Sequence, residues 1–463
     1  MRYLHHVHRV WPSLNRRRAS TQTRANRRTV RECFSILCIG CFALGASNAT
    51  AADLSLLEQL GKQLFFDTSL STPAGQSCAS CHAPEVGFTG PDSDVNLRTA
   101  VYPGAAPGRF GNRKPPSAAY ASFSPKRQLQ KDKPDDEGTW VGGQFWDGRS
   151  DSLIEQAKGP FLNPLEMNNA SAADVVNKVR QATYRALFER VFGAKSLDAT
   201  NPAAAFDRIA RAIAAYETSR EVNAFSSKYD AYLAGRATLT ARETRGLQLF
   251  AGKANCTACH PHERGDDGSP PLFTDFTYDN VGSPRNAANP FYRAAAEVNP
   301  EGAKYRDLGL GSVLKDESQW GKVKVPTLRN VAKKPHPQFV KSYLHNGTFQ
   351  SLKEVVHFYN RRDKTPEKFG PPDVEENVNR EELGNLGLTD AEEDDVVAFL
   401  ETLSDGYFPT TAPPGPSPSD SSPAQPPPMV SSDPFRAVRD LLRVERFRLG
   451  SLEEAAKEKP TRR

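Results

Sequence analysis

Cys78-Ala-Ser-Cys81-His82 and Cys256-Thr-Ala-Cys259-His260 each place two thiols and an imidazole within five residues. This is the C-x-x-C-H form of a c-type haem attachment site. Both thiols add across the vinyl groups of one haem, and the adjacent histidine becomes an axial ligand of its iron. The spacing is short because sulfurs and imidazole must all reach one rigid macrocycle. Cys78, Cys81, Cys256 and Cys259 are therefore expected to hold two covalent haems, with His82 and His260 on the two irons. A competing reading gives all four thiolates to one zinc ion. Zinc leaves unexplained why a histidine directly follows each pair.

Chemistry at each iron rests on its sixth position. Between His82 and His260 the chain has no histidine, and Met167 is its only methionine there. Unless Met167, a lysine or a distant histidine swings in, the first iron keeps an open face that binds peroxide or dioxygen. Beyond His260 the only methionine is Met429. A His/Met pair of the electron-transfer type is not expected at the second iron. His262, His336, His345, His357 and several tyrosines remain, and His262 lies too near its own motif to reach the opposite haem face. A tyrosinate there favours ferric and higher oxidation states.

The elements that must position these groups show in the surrounding pattern. Gly61-Lys-Gln-Leu64-Phe65 precedes the first motif and Gly246-Leu-Gln-Leu249-Phe250 the second. Each string closes a predicted helix that delivers the chain to a haem, so the repeat implies two related haem domains. Thr240-Ala-Arg-Glu243 caps the second of these helices. Residues 171–192 read as one amphipathic helix, with Val175, Val176, Val179, Leu187 and Val191 near one face. Residues 203–218 read as another, and Thr389-Asp-Ala-Glu392 caps a third. The stretches 83–150 and 261–340 are rich in Gly, Pro and polar residues and are expected to wrap the haems as long ordered loops. The predicted fold is mostly α, with two cytochrome c-like haem domains and few strands.

Composition sets the limits. Residues 1–52 carry nine Arg and one Glu, a net +8, which leaves residues 53–463 at −3. That excludes a nucleic-acid binder. A basic start, the apolar run Phe34 to Ala46 and the small-residue pattern Ala49-Thr50-Ala51 read as an export segment over 1–52. An uncleaved anchor is the competing reading. Export implies a periplasmic location, where covalent haem is attached. Within the chain we expect an N-terminal haem domain at 53–235 and a C-terminal one at 236–408. A Pro/Ser-rich linker follows at 409–434, and then a basic tail at 435–463, read as solvated and weakly helical, with a short amphipathic helix as the competing reading. Membrane contact is expected only through the export segment or the tail.

Several blocks together resemble the bacterial dihaem cytochrome c peroxidase/MauG family. They are Gly61-Lys-Gln-Leu-Phe-Phe-Asp67, Phe145-Trp-Asp-Gly-Arg149, Gln156-Ala-Lys-Gly-Pro160, Asn163-Pro-Leu-Glu-Met167, Lys324-Val-Pro-Thr-Leu-Arg-Asn330 and Leu344-His-Asn-Gly347. The resemblance runs from about Leu54 to Leu403. It implies that peroxide reacts at the N-terminal haem and that the C-terminal haem stores or relays electrons. It puts Trp146 between the haems as a relay, and Gln156 and Glu166 in the distal pocket. Heterolysis of bound peroxide moves a proton from one oxygen to the other; Glu166 would shuttle it while Gln156 orients the oxygens. The C-terminal ligand position falls fourteen residues after His345, at Tyr359, with His357 as competitor. Tyrosine there, and no histidine in Arg109 to Ser117, resembles the MauG branch.

The resemblance also implies calcium between the haems. Its side-chain ligand position holds Lys114, which cannot bind a cation, and Val340 and Ser342 match the carbonyl positions. Either Asn112 takes over, or Lys114 supplies a substitute charge. The expected activity is a peroxidase-like oxidoreductase that spreads two oxidising equivalents over both haems, a high-valent bis-haem state, and oxidises a protein side chain or other substrate. The alternatives are a cytochrome c peroxidase, fed by a small cytochrome or cupredoxin, and a non-catalytic electron carrier.

Overall fold

The computed structural model describes residues 53–408, apart from 132 and 134–136. The export segment, linker and tail lie outside the described residues. Eleven α-helices occur among the described residues. The first six are α1 (Leu56–Phe66), α2 (Ser93–Arg98), α3 (Leu153–Leu162), α4 (Ala172–Gln181), α5 (Arg185–Phe192) and α6 (Pro202–Thr218). The rest are α7 (Lys228–Leu233), α8 (Ala241–Ala251), α9 (Leu310–Leu314), α10 (Leu352–Arg361) and α11 (Asp390–Glu401). Strands are confined to two antiparallel pairs, β1 (Gln128–Gln130) with β2 (Thr139–Val141) and β3 (Tyr278–Asp279) with β4 (Val323–Lys324). The fold is mostly helical, as expected.

Apolar side chains gather in two main cores. One joins α1, α3, α4, α5 and α6 around Leu60, Phe65, Phe161, Val176, Phe188 and Ile209. The other joins α7, α8, α10 and α11 around Tyr229, Phe250, Phe273, Val356 and Phe399. The first core ends at Val222 and the second begins at Tyr229.

The repeated glycine motif has a packing reason in both cores. A Cβ on Gly61 would stand 1.8 Å from the Ala212 carbonyl oxygen of α6. A Cβ on Gly246 would stand 1.9 Å from the Asp395 carbonyl oxygen of α11. In each lobe the helix before the haem motif thus crosses its partner at a distance only glycine permits. The phenylalanine four residues on anchors the crossing: Phe65 lies 5.4 Å from Tyr216, and Phe250 lies 5.1 Å from Phe399. Capping boxes at Ser55/Glu58, Thr240/Glu243 and Thr389/Glu392 fix the starts of α1, α8 and α11.

One expected helix is two. Residues 171–192 break at Ala182, whose backbone is extended, into α4 and α5. The Tyr184 hydroxyl donates to Asp67 at 2.5 Å, which ties the chain to the end of α1 and re-aims the following helix. Two stretches expected as loops, 83–150 and 261–340, hold only short helical turns, α2, α9 and the two strand pairs.

Candidate active site

Cys78–Ser80 forms a single 3-10 turn, and the Cys81 and His82 amides both bond the Cys78 carbonyl, at 3.1 and 2.9 Å. The turn brings both thiols and the imidazole to one side. Nδ1 of His82 bonds the Phe88 carbonyl at 3.2 Å, and the Pro116 carbonyl also faces the ring. Phe88 reaches that position with φ of 57°, a left-handed backbone that costs a non-glycine residue about 1–2 kcal/mol. The second motif repeats the arrangement. His260 bonds the Cys256 carbonyl through its amide at 2.9 Å and the Phe273 carbonyl through Nδ1 at 2.7 Å. Phe273 has φ of 54°. A backbone carbonyl on Nδ1 sets the ring orientation and tautomer and leaves Nε2 as the metal-facing nitrogen, the usual device behind a ligating histidine. Neither phenylalanine was singled out from the sequence.

The first motif opens on a cavity of about 220 Å³ lined by Cys78, Cys81, His82, Trp146, Gln156 and Glu166. No other histidine lines it; Met167, Lys114 and Lys324 do. Met167 is 3% exposed and packs in the first core. Burial pushes the Cys81 thiol up to about 12 and raises Cys78 further. Among the described residues, only Cys259, Asp279 and Glu382 stand close enough for three or more such side chains to share a metal. The four thiols therefore do not assemble a zinc site.

Gln156 and Glu166 come from α3 and the turn that follows it. Pro160 inside α3 lacks the amide that would bond the Gln156 carbonyl. Asn163 donates its side-chain amide to Glu166 Oε1 at 3.0 Å. Burial raises the Glu166 pKa against the opposing pull of Arg149 and the Asn163 bond. Glu166 also borders a polar outer cleft of about 570 Å³ with Arg127, Ser150 and Asp151. It thus stands in the wall between solvent and the cavity.

Trp146 lies against this cavity, 8% exposed. Its indole N–H donates to the Lys114 carbonyl at 2.8 Å, and its carbonyl accepts from the Lys324 amide at 2.8 Å. His345 meets it edge-on at 6.4 Å. The flanking Asp147 pairs with Arg113 at 2.6 Å, and Arg113 pairs bidentately with Asp307 at 2.6 Å. The indole is therefore clamped between segments that precede and follow the second motif. Nδ1 of buried His345 has no hydrogen-bond partner.

Tyr359 projects from α10 toward the second motif: its phenol is raised by burial first, then by Asp279, Cys259 and Cys256. No hydrogen bond reaches its hydroxyl among the described residues. His357, two residues earlier, turns the other way and bonds Glu393 at 3.0 Å. His262 packs on Phe250, His336 on Phe339 and His345 on Trp146.

The residues considered for calcium take part in other hydrogen bonds. Asn112 donates its amide to the Tyr305 hydroxyl at 2.8 Å. The Val340 carbonyl accepts from Asn96 at 3.0 Å, and Ser342 donates to Asn96 at 3.2 Å. Lys114 Nζ bonds the Pro115 carbonyl at 3.2 Å; burial first, and then the charge of Lys114, hold the Lys341 pKa well below the ordinary lysine value.

These features agree with what the chain resembles. The family pattern described as Di-haem cytochrome c peroxidase matches residues 56–238. "Methylamine utilization protein MauG" of Paracoccus denitrificans (strain Pd 1222) is 38% identical over 377 residues, 78% of this chain and 92% of that protein. "Cytochrome-c peroxidase IdrP1" of Denitromonas iodatirespirans is 30% identical over 74% of this chain and 80% of its own length. The crystal structure of the diheme peroxidase BthA from Burkholderia thailandensis E264 superposes with a TM-score of 0.64 at 35% identity, covering 82% of this chain and 92% of that one. With two C-x-x-C-H motifs in matching settings and relatives of this extent, the chain belongs to the dihaem cytochrome c peroxidase/MauG family and is a dihaem peroxidase-type oxidoreductase.

Proposed function

We propose that the protein reacts with hydrogen peroxide in the N-terminal cavity and draws the electrons from a protein side chain through Trp146, as a MauG-like enzyme. The carrying observation is the asymmetry of the two sites: His82 is the only histidine lining the first, whereas the Tyr359 phenol interacts with the Cys256 and Cys259 thiols of the second. Cys78, Cys81 and His82 hold one haem, and Cys256, Cys259 and His260 hold the other, with the two cores as the two haem domains. Bound haem supplies the redox chemistry. Glu166 takes the proton from incoming peroxide and returns it to the leaving oxygen. Its raised pKa and its position at the outer cleft suit that exchange. Gln156 orients the oxygens. Trp146 gives electrons a short path between the sites, and Tyr359 is the oxygen ligand of the second iron.

Lys114 supplies the positive charge between the sites in place of calcium: an ammonium cannot ligate a cation, and its Nζ stands 6.0 Å from the Trp146 ring centroid. We infer export to the periplasm from residues 1–52. No helix among the described residues is long and apolar enough to cross a membrane. The test is to add peroxide to the dihaem protein together with candidate partner proteins and map oxidised residues by mass spectrometry. Oxidised Trp or Tyr on one partner supports the reading. Turnover only with a reduced small cytochrome or cupredoxin supports the peroxide-detoxifying alternative, which the similar cytochrome-c peroxidases favour.

A further inference from the structure

Glu217 is the penultimate residue of α6 and lines the cavity shared by Cys78 and His82. It is 6% exposed, and its Oε2 has no hydrogen-bond partner. Asn223 bonds the Glu217 backbone carbonyl, not the carboxyl. A buried carboxyl without a partner is costly, and such groups are rare without a role.

The lysines of the helices packed around it have other partners. Lys62 of α1 pairs with Glu221 at 2.6 Å, and Lys158 of α3 pairs with Glu155 and Asp207. Lys178 of α4 bonds Ser71, Thr72 and Asn169. The turn at Ala121–Phe123 carries no ionisable side chain. The ionisable groups that feel its charge are Cys78 and Tyr216. Lys114, Lys324, Arg113, Arg149, His82 and Glu166 line the same cavity. Burial pushes the carboxyl up to about 8. The negative end of the 17-residue helix works in the same direction.

Cys78 and Glu217 line one cavity, so the carboxyl stands in the wall around the haem that Cys78 would carry. We propose that Glu217 is the proton-exchanging residue of the N-terminal haem, a positioning group for charge rather than a contact for peroxide. Glu217 holds its proton while that haem is reduced. When the haem gives one electron to an oxidant, the carboxyl O–H bond breaks and the proton leaves to solvent, so the carboxylate offsets the added positive charge. Re-reduction reverses both transfers. The proposal rests on reading this cavity as the N-terminal haem site.

The test is potentiometry of the full-length dihaem protein, with the N-terminal haem followed optically as pH is varied through about 6 to 9. Attachment of haem at Cys78 and Cys81 is first checked by peptide mass. In the wild type the midpoint falls with pH by up to about 59 mV per unit, which is one tenfold proton step in a one-electron couple. Glu217→Gln, which copies the neutral acid in shape and charge, abolishes the slope. Glu217→Asp and Glu166→Gln retain it. An equal slope in wild type and Glu217→Gln overturns the proposal, as does a slope that vanishes with Glu166→Gln instead. A wild-type protein without haem on Cys78 and Cys81 removes the cavity assignment itself, a different result from an unchanged slope.

Discussion

The two haem lobes repeat one scaffold and differ in what they place around it. Each delivers its C-x-x-C-H turn from a helix that crosses a partner through glycine, at Gly61 on α6 and at Gly246 on α11. Each holds its histidine Nδ1 with the carbonyl of a left-handed phenylalanine, Phe88 or Phe273. The surroundings then diverge. The first lobe keeps a cavity with two carboxyls, Glu166 and Glu217, in its wall. The second presents Tyr359 over its motif and sets Asp279 and Glu382 beside Cys259. Both lobes thus share the setting of the motif and differ in the side chains placed around it.

The largest expected effect separates the lobes by chemistry. Glu166→Gln keeps the shape of the first cavity and removes its proton carrier, so the reaction with peroxide slows by about 10²–10⁴-fold. Stopped-flow absorbance measures it; a rate within a few-fold of wild type would show that Glu166 carries no proton.

Next, the shared scaffold is open to matched damage. Gly61→Ala and Gly246→Ala each drive a Cβ into a backbone carbonyl that cannot step aside. Each variant should lose about 1–3 kcal/mol or more of stability, read from denaturant midpoints. A lobe that accepts alanine without loss would break the parallel between the crossings.

The smallest effect sharpens the contrast in buried charge. Asp307, paired with Arg113, has its pKa held well below the usual carboxylate range. Its folded value is depressed, so its contribution is present above the ordinary carboxylate range and is lost as pH falls. Glu217 has the opposite sign: its folded pKa is raised to about 8. The unfolded chain releases that proton first, so stability declines as pH rises from the ordinary glutamate value toward 8. Thermal melts should show that decline in the wild type and a flatter profile in Glu217→Gln over the same window. Identical profiles would mean that the carboxyl is not neutral in the fold.

Much of this was legible in the sequence because it is local. The C-x-x-C-H strings, the glycine-led repeat and the capping boxes at Thr240 and Thr389 are fixed by spacing over a few residues. The break at Ala182 was not, because Tyr184 is drawn out of the helical path by Asp67, far away in sequence. Phe88 and Phe273 gave no signal, since a left-handed backbone at phenylalanine runs against its ordinary preference and is imposed by packing. Glu217 was missed but could have been found. It follows Ile209 and Ile213 at intervals of four, on the buried stripe of α6, where an acid is out of place. The clamp of Arg113, Asp147 and Asp307 spans almost two hundred residues and shows only in three dimensions.

The central claim is that the first iron keeps an open face while an oxygen ligand from Tyr359 closes the second. Electron paramagnetic resonance of the resting oxidised dihaem protein tests it most directly, alongside Tyr359→Phe. The account predicts one high-spin and one low-spin ferric signal, with only the low-spin signal altered by the substitution. Two low-spin signals, or a low-spin signal indifferent to the loss of the Tyr359 hydroxyl, would contradict it.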